Sequence, residues 1–317
     1  MLTRRRLFQH AAVSAAGAGA MALLPEPANA QQVPNSAGSE PASLKAPVGA
    51  CDCHHHIYDA VRFPPVLPGG TFQPSARLEE YRMLQRRIGA TRNVIVTPVP
   101  YQTDNRVILD AIARIGANAR GVAVIRPEVT DAELKRLADG GIRGVRISLT
   151  VASAATSLDM IEPLSKRVSA LGWHVQINLE ADQIVAVGDL WQRLPSEIVF
   201  DHMGHIPQPQ GVRHPAFDLI RGLVDKGRTW VKLSVTNGSS NDGPPGYADA
   251  TRVAQAYVKH APERMVWGSN WPHPNETAKP DDAVVFDLMA KWAPDEKTRT
   301  RILVQNPEVL YGFDQRA

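Results

Sequence analysis

The stretch CDCHHHI at residues 51–57 is the first of eight short runs along the chain that are typical of buried strands, and it ends in three histidines. Most of the runs that follow are rich in Val, Ile and Leu, as expected for strands whose two faces are both covered. We predict strands at 51–57, 93–98, 121–126, 143–149, 173–179, 197–202, 229–235 and 264–270.

The segments between these strands carry apolar residues at helical spacing. They predict helices at 76–89, 104–117, 131–139, 157–171, 181–193, 214–226 and 248–260, with two more in 281–313. Eight alternating strand and helix units in about 270 residues are typical of a closed parallel barrel. No G-x-G-x-x-G follows the first strand, which argues against a dinucleotide fold. The predicted fold class is therefore α/β, a single (β/α)₈ TIM barrel over 49–317.

The N-terminal segment has the pattern of an export signal. TRRRLF at residues 3–8 is a twin-arginine pattern, a mild apolar run follows at 11–24, and Ala28-Asn29-Ala30 is a small-x-small cleavage site. For residues 1–30 we predict a twin-arginine signal peptide, with the twin-arginine export machinery as partner, a periplasmic location and no stable membrane anchor. An uncleaved amphipathic anchor is the alternative. Residues 31–48 are rich in Pro, Ser and Ala and predict a disordered leader.

The charge of the chain argues against a nucleic-acid partner. The full chain has 35 Lys and Arg against 32 Asp and Glu, a net charge of +3. Removal of residues 1–30 takes away three Arg and one Glu, which leaves 32 against 31, or +1. A nearly neutral protein has no general attraction for phosphate backbones.

The chain has two cysteines, Cys51 and Cys53, both in the first predicted strand. A disulfide between residues two apart on one strand is geometrically strained. We expect two buried thiols that pack behind the strand, with metal ligation as the alternative.

Polar side chains recur at the carboxyl ends of the predicted strands, which is where barrels of this kind carry their chemistry. They are His54, His56, Thr97, Tyr101, Arg146, Asn178, His202, Asn270 and His273. His54 and His56 are two apart on a strand, so their side chains should point to the same side, whereas His55 points away and is structural. With His202 they form a possible zinc site, because imidazole suits that ion. We predict Thr97, Tyr101, Asn178 and His273 as substrate-binding residues.

Six stretches, in order along residues 50–313, resemble one branch of the amidohydrolase superfamily. They are CDCHHHIYD, VTPVPYQTDNR, GIRGVRISL, VFDHMGHIP, VKLS and RMVWGSNWPHP. This branch contains 2-pyrone-4,6-dicarboxylate lactonase and D-galactarolactone isomerase. The resemblance implies a (β/α)₈ barrel that acts on a small lactone, and the two named enzymes need no metal. FPPVLPGG and the Asn in WGSNWPHP are most similar to the isomerase.

The resemblance also implies roles for particular residues. His54, His56 and His202 stand where the lactonase has histidines. Arg146 stands where it has an arginine that grips a substrate carboxylate. Asn270 stands where it has its catalytic aspartate, and the isomerase carries glutamine in place of His54. The resemblance therefore implies that His54, His56, His202 and Asn270 are catalytic and that Arg146 binds substrate.

Asn270 decides which reaction we expect. An amide has no basic lone pair near neutral pH and cannot take a proton from an attacking water. Isomerisation between lactone ring sizes avoids this need, since the attacking hydroxyl belongs to the substrate and intramolecular attack is strongly favoured. We predict isomerisation of a galactarolactone-type substrate without a cofactor.

Several alternatives remain open at the level of sequence. One is hydrolysis of a lactone or ester with His202, His273 or Glu180 as base, with or without a divalent metal such as zinc. A site with Arg146 at strand four repels a cation, which argues against the metal. Another is a periplasmic binding barrel that is catalytically weakened.

Overall fold

We describe the fold from a computed structural model of the chain. It covers residues 32–314 apart from 68–72, 74–75 and 151–152. The signal peptide predicted for residues 1–30 lies outside these residues, and so does the end of the FPPVLPGG stretch. None of the helices in the described part of the chain has both the length and the hydropathy that a membrane crossing requires.

Eight parallel strands form one sheet whose order follows the chain, which confirms the predicted barrel. The strands are β1 Cys51–His55, β2 Arg92–Val96, β3 Ala119–Ala123, β4 Ile142–Ser148, β5 His174–Asn178, β6 Ile198–Phe200, β7 Thr229–Leu233 and β8 Met265–Trp267. Each overlaps a predicted run: β2, β3 and β4 begin one or two residues before it, and all eight strands end one to three residues earlier than predicted. The polar residues at the ends of several runs therefore belong to the loops that follow the strands.

Helices lie outside the barrel, between the strands and after the last strand. They are α1 Leu78–Ile88, α2 Arg106–Ile115, α3 Asp131–Asp139, α4 Ile161–Ser169, α5 Ala181–Ala186, α6 Gly188–Arg193, α7 Pro215–Val224, α8 Ala248–His260, α9 Asp282–Asp287, α10 Met289–Trp292, α11 Glu296–Thr300 and α12 Asn306–Tyr311. The helix predicted over 181–193 is interrupted at Val187. The two helices predicted in 281–313 are four short ones, with a π-helical turn at Arg301–Gln305.

The barrel closes between β1 and the loop after β8. The Asn270 amide donates to the His54 carbonyl at 2.7 Å, and the His56 amide donates to the Trp271 carbonyl at 2.9 Å. Gly268 makes this approach possible, because a Cβ on it would lie 2.6 Å from His54 Cβ and 2.9 Å from the His54 backbone nitrogen. We call these two hydrogen bonds the closing seam.

A β-bulge interrupts β1. Asp52 lies opposite Asn93 and His55 lies opposite Ile95, so β1 uses one more residue than β2 over the same length. The Asp52 carboxylate accepts a hydrogen bond from the His54 amide at 3.1 Å and fills the gap in the ladder.

The predicted position of the thiols behind the strand is wrong, and the bulge explains why. Cys51 and Cys53 are buried and free, and they pack inside the barrel with Val94, Val96 and other apolar residues rather than behind the strand. The extra residue turns Cys53 and His54 both inward, which strict alternation of side chains does not allow.

Residues 32–48, which we call the N-terminal strap, pack against the barrel. Val33 is buried, and the indole Nε1 of Trp271 donates to the Pro34 carbonyl at 2.7 Å. The backbone amides of Ser43 and Leu44 donate to the Asp287 carboxylate. The disordered leader predicted for 31–48 is therefore corrected for residues 32–48, because composition does not reveal that polar backbone groups find partners on the barrel.

Candidate active site

A cavity of about 260 Å³ opens at the carboxyl ends of the strands. Its lining includes the polar side chains of His56, Tyr58, Arg146, Ser148, Thr150, Ser153, Asn178, His202, His205, Asn270, Asn275 and Glu276. Five residues predicted from sequence are among them: His56, Arg146, Asn178, His202 and Asn270. The cavity is of a size that suits a small molecule.

His54 lies one layer below the cavity rather than on its wall. Its side chain is fully buried, and its ring centroid is 5.0 Å from that of His56 and 4.8 Å from that of His202. His54 therefore supports the two imidazoles that line the cavity.

Three residues predicted to bind substrate lie outside the cavity lining. The Thr97 hydroxyl donates to Asn105 at 2.7 Å, next to the start of α2. The Tyr101 hydroxyl accepts from the Asp59 amide at 2.9 Å. His273 is buried against Asp282, with its Nε2 3.0 Å from the carboxylate. Each position follows a strand, but the side chain turns into the loop that it holds.

Asp201 is the centre of a buried polar cluster. Its Oδ2 accepts from Arg146 Nε and from Gln176 Nε2, each at 2.9 Å. Its Oδ1 lies 3.3 Å from His54 Nδ1 and 3.7 Å from Lys232 Nζ. Burial opposes ionisation of this carboxylate, but the contact with His54 and the positive charges of Arg146 and Lys232 hold the pKa of Asp201 well below its usual range.

Lys232 was missed by the sequence analysis as a site residue. Its side chain is fully buried inside the barrel and donates to Gln176 Oε1 at 2.6 Å. Burial lowers the pKa of Lys232 to about 8, although Asp201 acts in the opposite direction. The sequence does carry a signal for this residue. A lysine in a strand that is otherwise mostly apolar must find a polar partner, because burying an unpaired charge costs a large desolvation free energy.

The three imidazoles at the site are neutral at neutral pH. Burial lowers the pKa of His56 to about 3, and it lowers the pKa of His54 and of His202 well below the ordinary value. His56 Nδ1 lies 2.8 Å from the Val96 carbonyl, which can only accept, so the neutral ring carries its lone pair on Nε2. His202 Nδ1 lies 2.8 Å from the Ser234 hydroxyl. These groups can accept or donate protons at defined atoms.

His205 adds a third imidazole to the cavity wall, beside His56 and His202. Its Nε2 lies 2.7 Å from Asn178 Oδ1, so it donates there, while Asn178 Nδ2 donates to Ser148 and Thr150 at 2.8 Å. This chain of hydrogen bonds fixes the orientation of the Asn178 amide.

The loop after β6 holds His202 and His205 by an uncommon backbone conformation. Residues 202–205 have consecutive φ values of 52°, 56°, 70° and 49°, all in the left-handed region. Gly204 is the one glycine among them, and a Cβ there would lie 2.3 Å from a methyl of Ile220. Val235 and Asn270 also have positive φ. Such residues typically cost about 1–3 kcal/mol each and concentrate at functional sites.

One group of described residues has the composition of a metal site. Ligand atoms of His54, Asp201 and His202 lie within 4.8 Å of one another. The set predicted from sequence had His56 in place of Asp201, whereas His56 is not part of this group. All three residues already face a cationic donor, from Lys232 or from Arg146. In this arrangement they do not fit a divalent cation.

The family assignment follows from comparison with known proteins. Residues 51–313 match the amidohydrolase family, and the chain belongs to it. It is an enzyme of this family.

Three relatives are informative. The chain is 33% identical to 2-pyrone-4,6-dicarboxylate hydrolase from Comamonas testosteroni, over 84% of this chain and 92% of that protein. It is 34% identical to D-galactarolactone isomerase from Agrobacterium fabrum, over 84% and 91%. The apo crystal structure of Agrobacterium tumefaciens ATU3138 superposes with a TM-score of 0.81 at 32% identity, over 89% of this chain and 99% of that chain.

Proposed function

We propose that this enzyme isomerises a sugar-acid lactone of the galactarolactone type between ring sizes, without a metal ion. The observation that carries this proposal is Asn270. Its backbone is fixed by the closing seam, and its side chain lines the cavity after β8. An amide at this position can orient a hydroxyl or a ring oxygen but cannot act as a general base toward water.

The residues that line the cavity suit the chemistry of isomerisation. A hydroxyl of the substrate attacks the lactone carbonyl, the tetrahedral intermediate collapses, and the former ring oxygen leaves as a hydroxyl, so no water is consumed. The proton of the attacking hydroxyl passes to the departing oxygen. His56 lines the cavity with an unprotonated Nε2 and is placed to relay it. Effective molarities of about 10⁵–10⁸ M for intramolecular attack reduce the need for a strong base.

Arg146 supports a substrate with one carboxylate. It is the only lysine or arginine that lines the cavity among the described residues. Its guanidinium has five donor hydrogens, of which those on Nε and Nη2 face Asp201 and His202, so others remain for a ligand. Glu276 on the same wall disfavours a second carboxylate, which argues against a dicarboxylate such as 2-pyrone-4,6-dicarboxylate.

The proposal is tested by incubating the purified enzyme with galactaro-1,5-lactone and following the reaction by NMR. We expect the 1,4-lactone to appear before any free acid. Free acid without the 1,4-lactone would contradict the isomerase assignment.

Hydrolysis is the second candidate, and Glu276 is the observation that favours it. Its carboxylate lines the cavity and has the chemistry of a general base. The Comamonas relative is named a hydrolase, as noted above. Loss of lactone hydrolysis in Glu276→Gln, with isomerisation absent from the parent enzyme, would favour this candidate. Binding of lactones without turnover would instead favour a catalytically weakened binding barrel.

Replacing Asn270 by Asp should convert the enzyme toward hydrolysis. The substitution supplies a carboxylate at the end of β8 with little change in size, and a general base is typically worth about 10²–10⁴-fold in rate. Asn275→Asp is the matched control, because it makes the same change on the exposed rim of the cavity. We expect free acid to accumulate faster by at least about tenfold in N270D and not in N275D. Equal hydrolysis in both variants would show that Asn270 does not decide the reaction.

A further inference from the structure

The ammonium group of Lys232 lies in a nest of three acceptors inside the barrel. Gln176 Oε1 is 2.6 Å from Nζ, His54 Nδ1 is 3.3 Å away, and Asp201 Oδ1 is 3.7 Å away. The contacts with Gln176 and His54 are within hydrogen-bond distance, and the contact with Asp201 is an ion pair. The side chains of Lys232, His54 and Asp201 are all fully buried.

Two of these acceptors also belong to the one metal-like group among the described residues. His54 and Asp201 form that group with His202, and three such ligands plus a water are the usual set for a catalytic zinc ion. The guanidinium of Arg146 covers the rest of the group. Its Nε is 2.9 Å from Asp201, and its Nη2 is 3.4 Å from His202 Nε2.

We propose that Lys232 is a built-in cation that takes the place of a divalent metal ion at His54, Asp201 and His202 and excludes that ion. A divalent ion entering this cluster would meet two cationic side chains and one carboxylate. It would also have to displace the ammonium from acceptors that no water can reach. This inference rests on the metal-independent chemistry proposed above.

Lys232 also contacts the imidazole of this group. Its Nζ lies 3.3 Å from His54 Nδ1, and Asp201 Oδ1 lies 3.3 Å from the same nitrogen. His54 Nε2 has no hydrogen-bond partner within the described structure. Lys232 therefore competes with an incoming ion for the imidazole as well as for the carboxylate.

Metal content measures the proposal directly. Wild-type protein, Lys232→Met and Lys259→Met are incubated with excess zinc, freed of unbound metal by desalting and analysed by mass spectrometry for zinc per chain. Lys259 is an exposed lysine at the end of α8 and serves as the matched control. We expect K232M to retain about one zinc per chain and both other proteins less than about 0.1. Zinc should raise the unfolding temperature of K232M alone, because a ligand stabilises only the state that binds it.

The site of the captured ion is checked in the background of the variant. His54→Ala added to K232M should abolish zinc retention, which a general loosening of the barrel would not predict. If K232M does not fold, Lys232→Gln removes the charge and keeps a polar group, and the same stoichiometry is expected. One tightly held zinc in the wild-type protein, or no zinc in a folded variant at this position, would overturn the proposal. Neither result depends on the lactone, so the test is separate from that of the isomerase activity.

Discussion

Gly268 shows how a single residue sets the geometry of the site. The bulged backbone of His54 lies against Gly268, so close that a residue with a Cβ would clash with it. Gly268→Ala should destabilise the protein by about 3 kcal/mol or more, since overpacking against backbone cannot be relieved by a rotamer change. Urea denaturation of the variant measures the loss.

The control for this substitution is Gly222→Ala. Gly222 is an exposed glycine inside α7, and a Cβ there would meet nothing within 4 Å. Alanine in a helix interior is favoured over glycine by roughly 0.5–1 kcal/mol, so G222A should be slightly more stable than wild type. A G268A protein as stable as G222A would mean that the seam tolerates a wider spacing than the structure has.

At the scale of elements, the N-terminal strap is held by one side chain of α1. Arg87 donates to the carbonyls of Ala37 and Glu40, each at 2.8 Å, and to Asp281 at 2.7 Å. Arg87→Met should lower the free energy of unfolding by about 2–4 kcal/mol, because acceptors that are mostly part-buried lose a charged donor. Limited proteolysis should then cut within 32–48, where the wild-type strap is protected.

Arg86→Met is the comparison for the strap. It removes a neighbouring arginine of the same helix that is exposed. Its stability should change by no more than about 0.5 kcal/mol. Equal protease sensitivity of the two variants would show that Arg87 does not hold the strap in place.

The N-terminal strap and the bulge in β1 are two features that the sequence could not predict. The strands and most helices follow from local patterns of apolar residues, and Arg146 and Asn270 follow from family resemblance. The docking of residues 32–48 depends on partners such as Arg87 and Asp287, which are distant in sequence. The bulge in β1 depends on Gly268, more than 200 residues away. The role of Lys232 is apparent only from the buried cluster around Asp201, which forms in the folded barrel.

At the scale of the whole molecule, the barrel carries many buried neutral histidines. Burial lowers the pKa of His54, His55, His56, His174 and His202. Below the ordinary histidine pKa of about 6.5, such a residue binds a proton only in the unfolded chain. Stability is therefore fully present above that pH and is lost as the pH falls toward 3. Asp52 has the opposite effect. Burial raises its pKa to about 6, so its contribution to stability grows as the pH falls from about 6 toward the ordinary aspartate pKa of about 4.

His174 offers a clean test of this acid sensitivity. Both of its ring nitrogens lack hydrogen-bond partners in the described structure, and its ring packs edge-on against Tyr311. In His174→Phe, one proton-binding group is lost from the unfolded chain. Below pH 6.5, the stability of the variant relative to wild type should therefore rise by about 1.4 kcal/mol for each unit by which the pH falls, whatever the packing change costs at neutral pH.

Denaturant titrations from pH 8 to pH 4 measure this difference. It should be constant above pH 7, where the histidine is neutral in both states. A difference that is independent of pH over the whole range would show that His174 is protonated in the folded barrel or hardly perturbed by it.

The closing seam has a consequence for how this enzyme can change over evolutionary time. Two backbone hydrogen bonds form the closing seam, and three of the four residues that make them, His54, His56 and Asn270, are also those on which the proposed chemistry depends. A lineage that reshapes the loop after β8 for a new substrate thereby risks opening the barrel. Diversification is expected instead in loops remote from the closing seam, such as the one that contributes Ser153 to the cavity lining, where the sequence can change without affecting closure of the barrel.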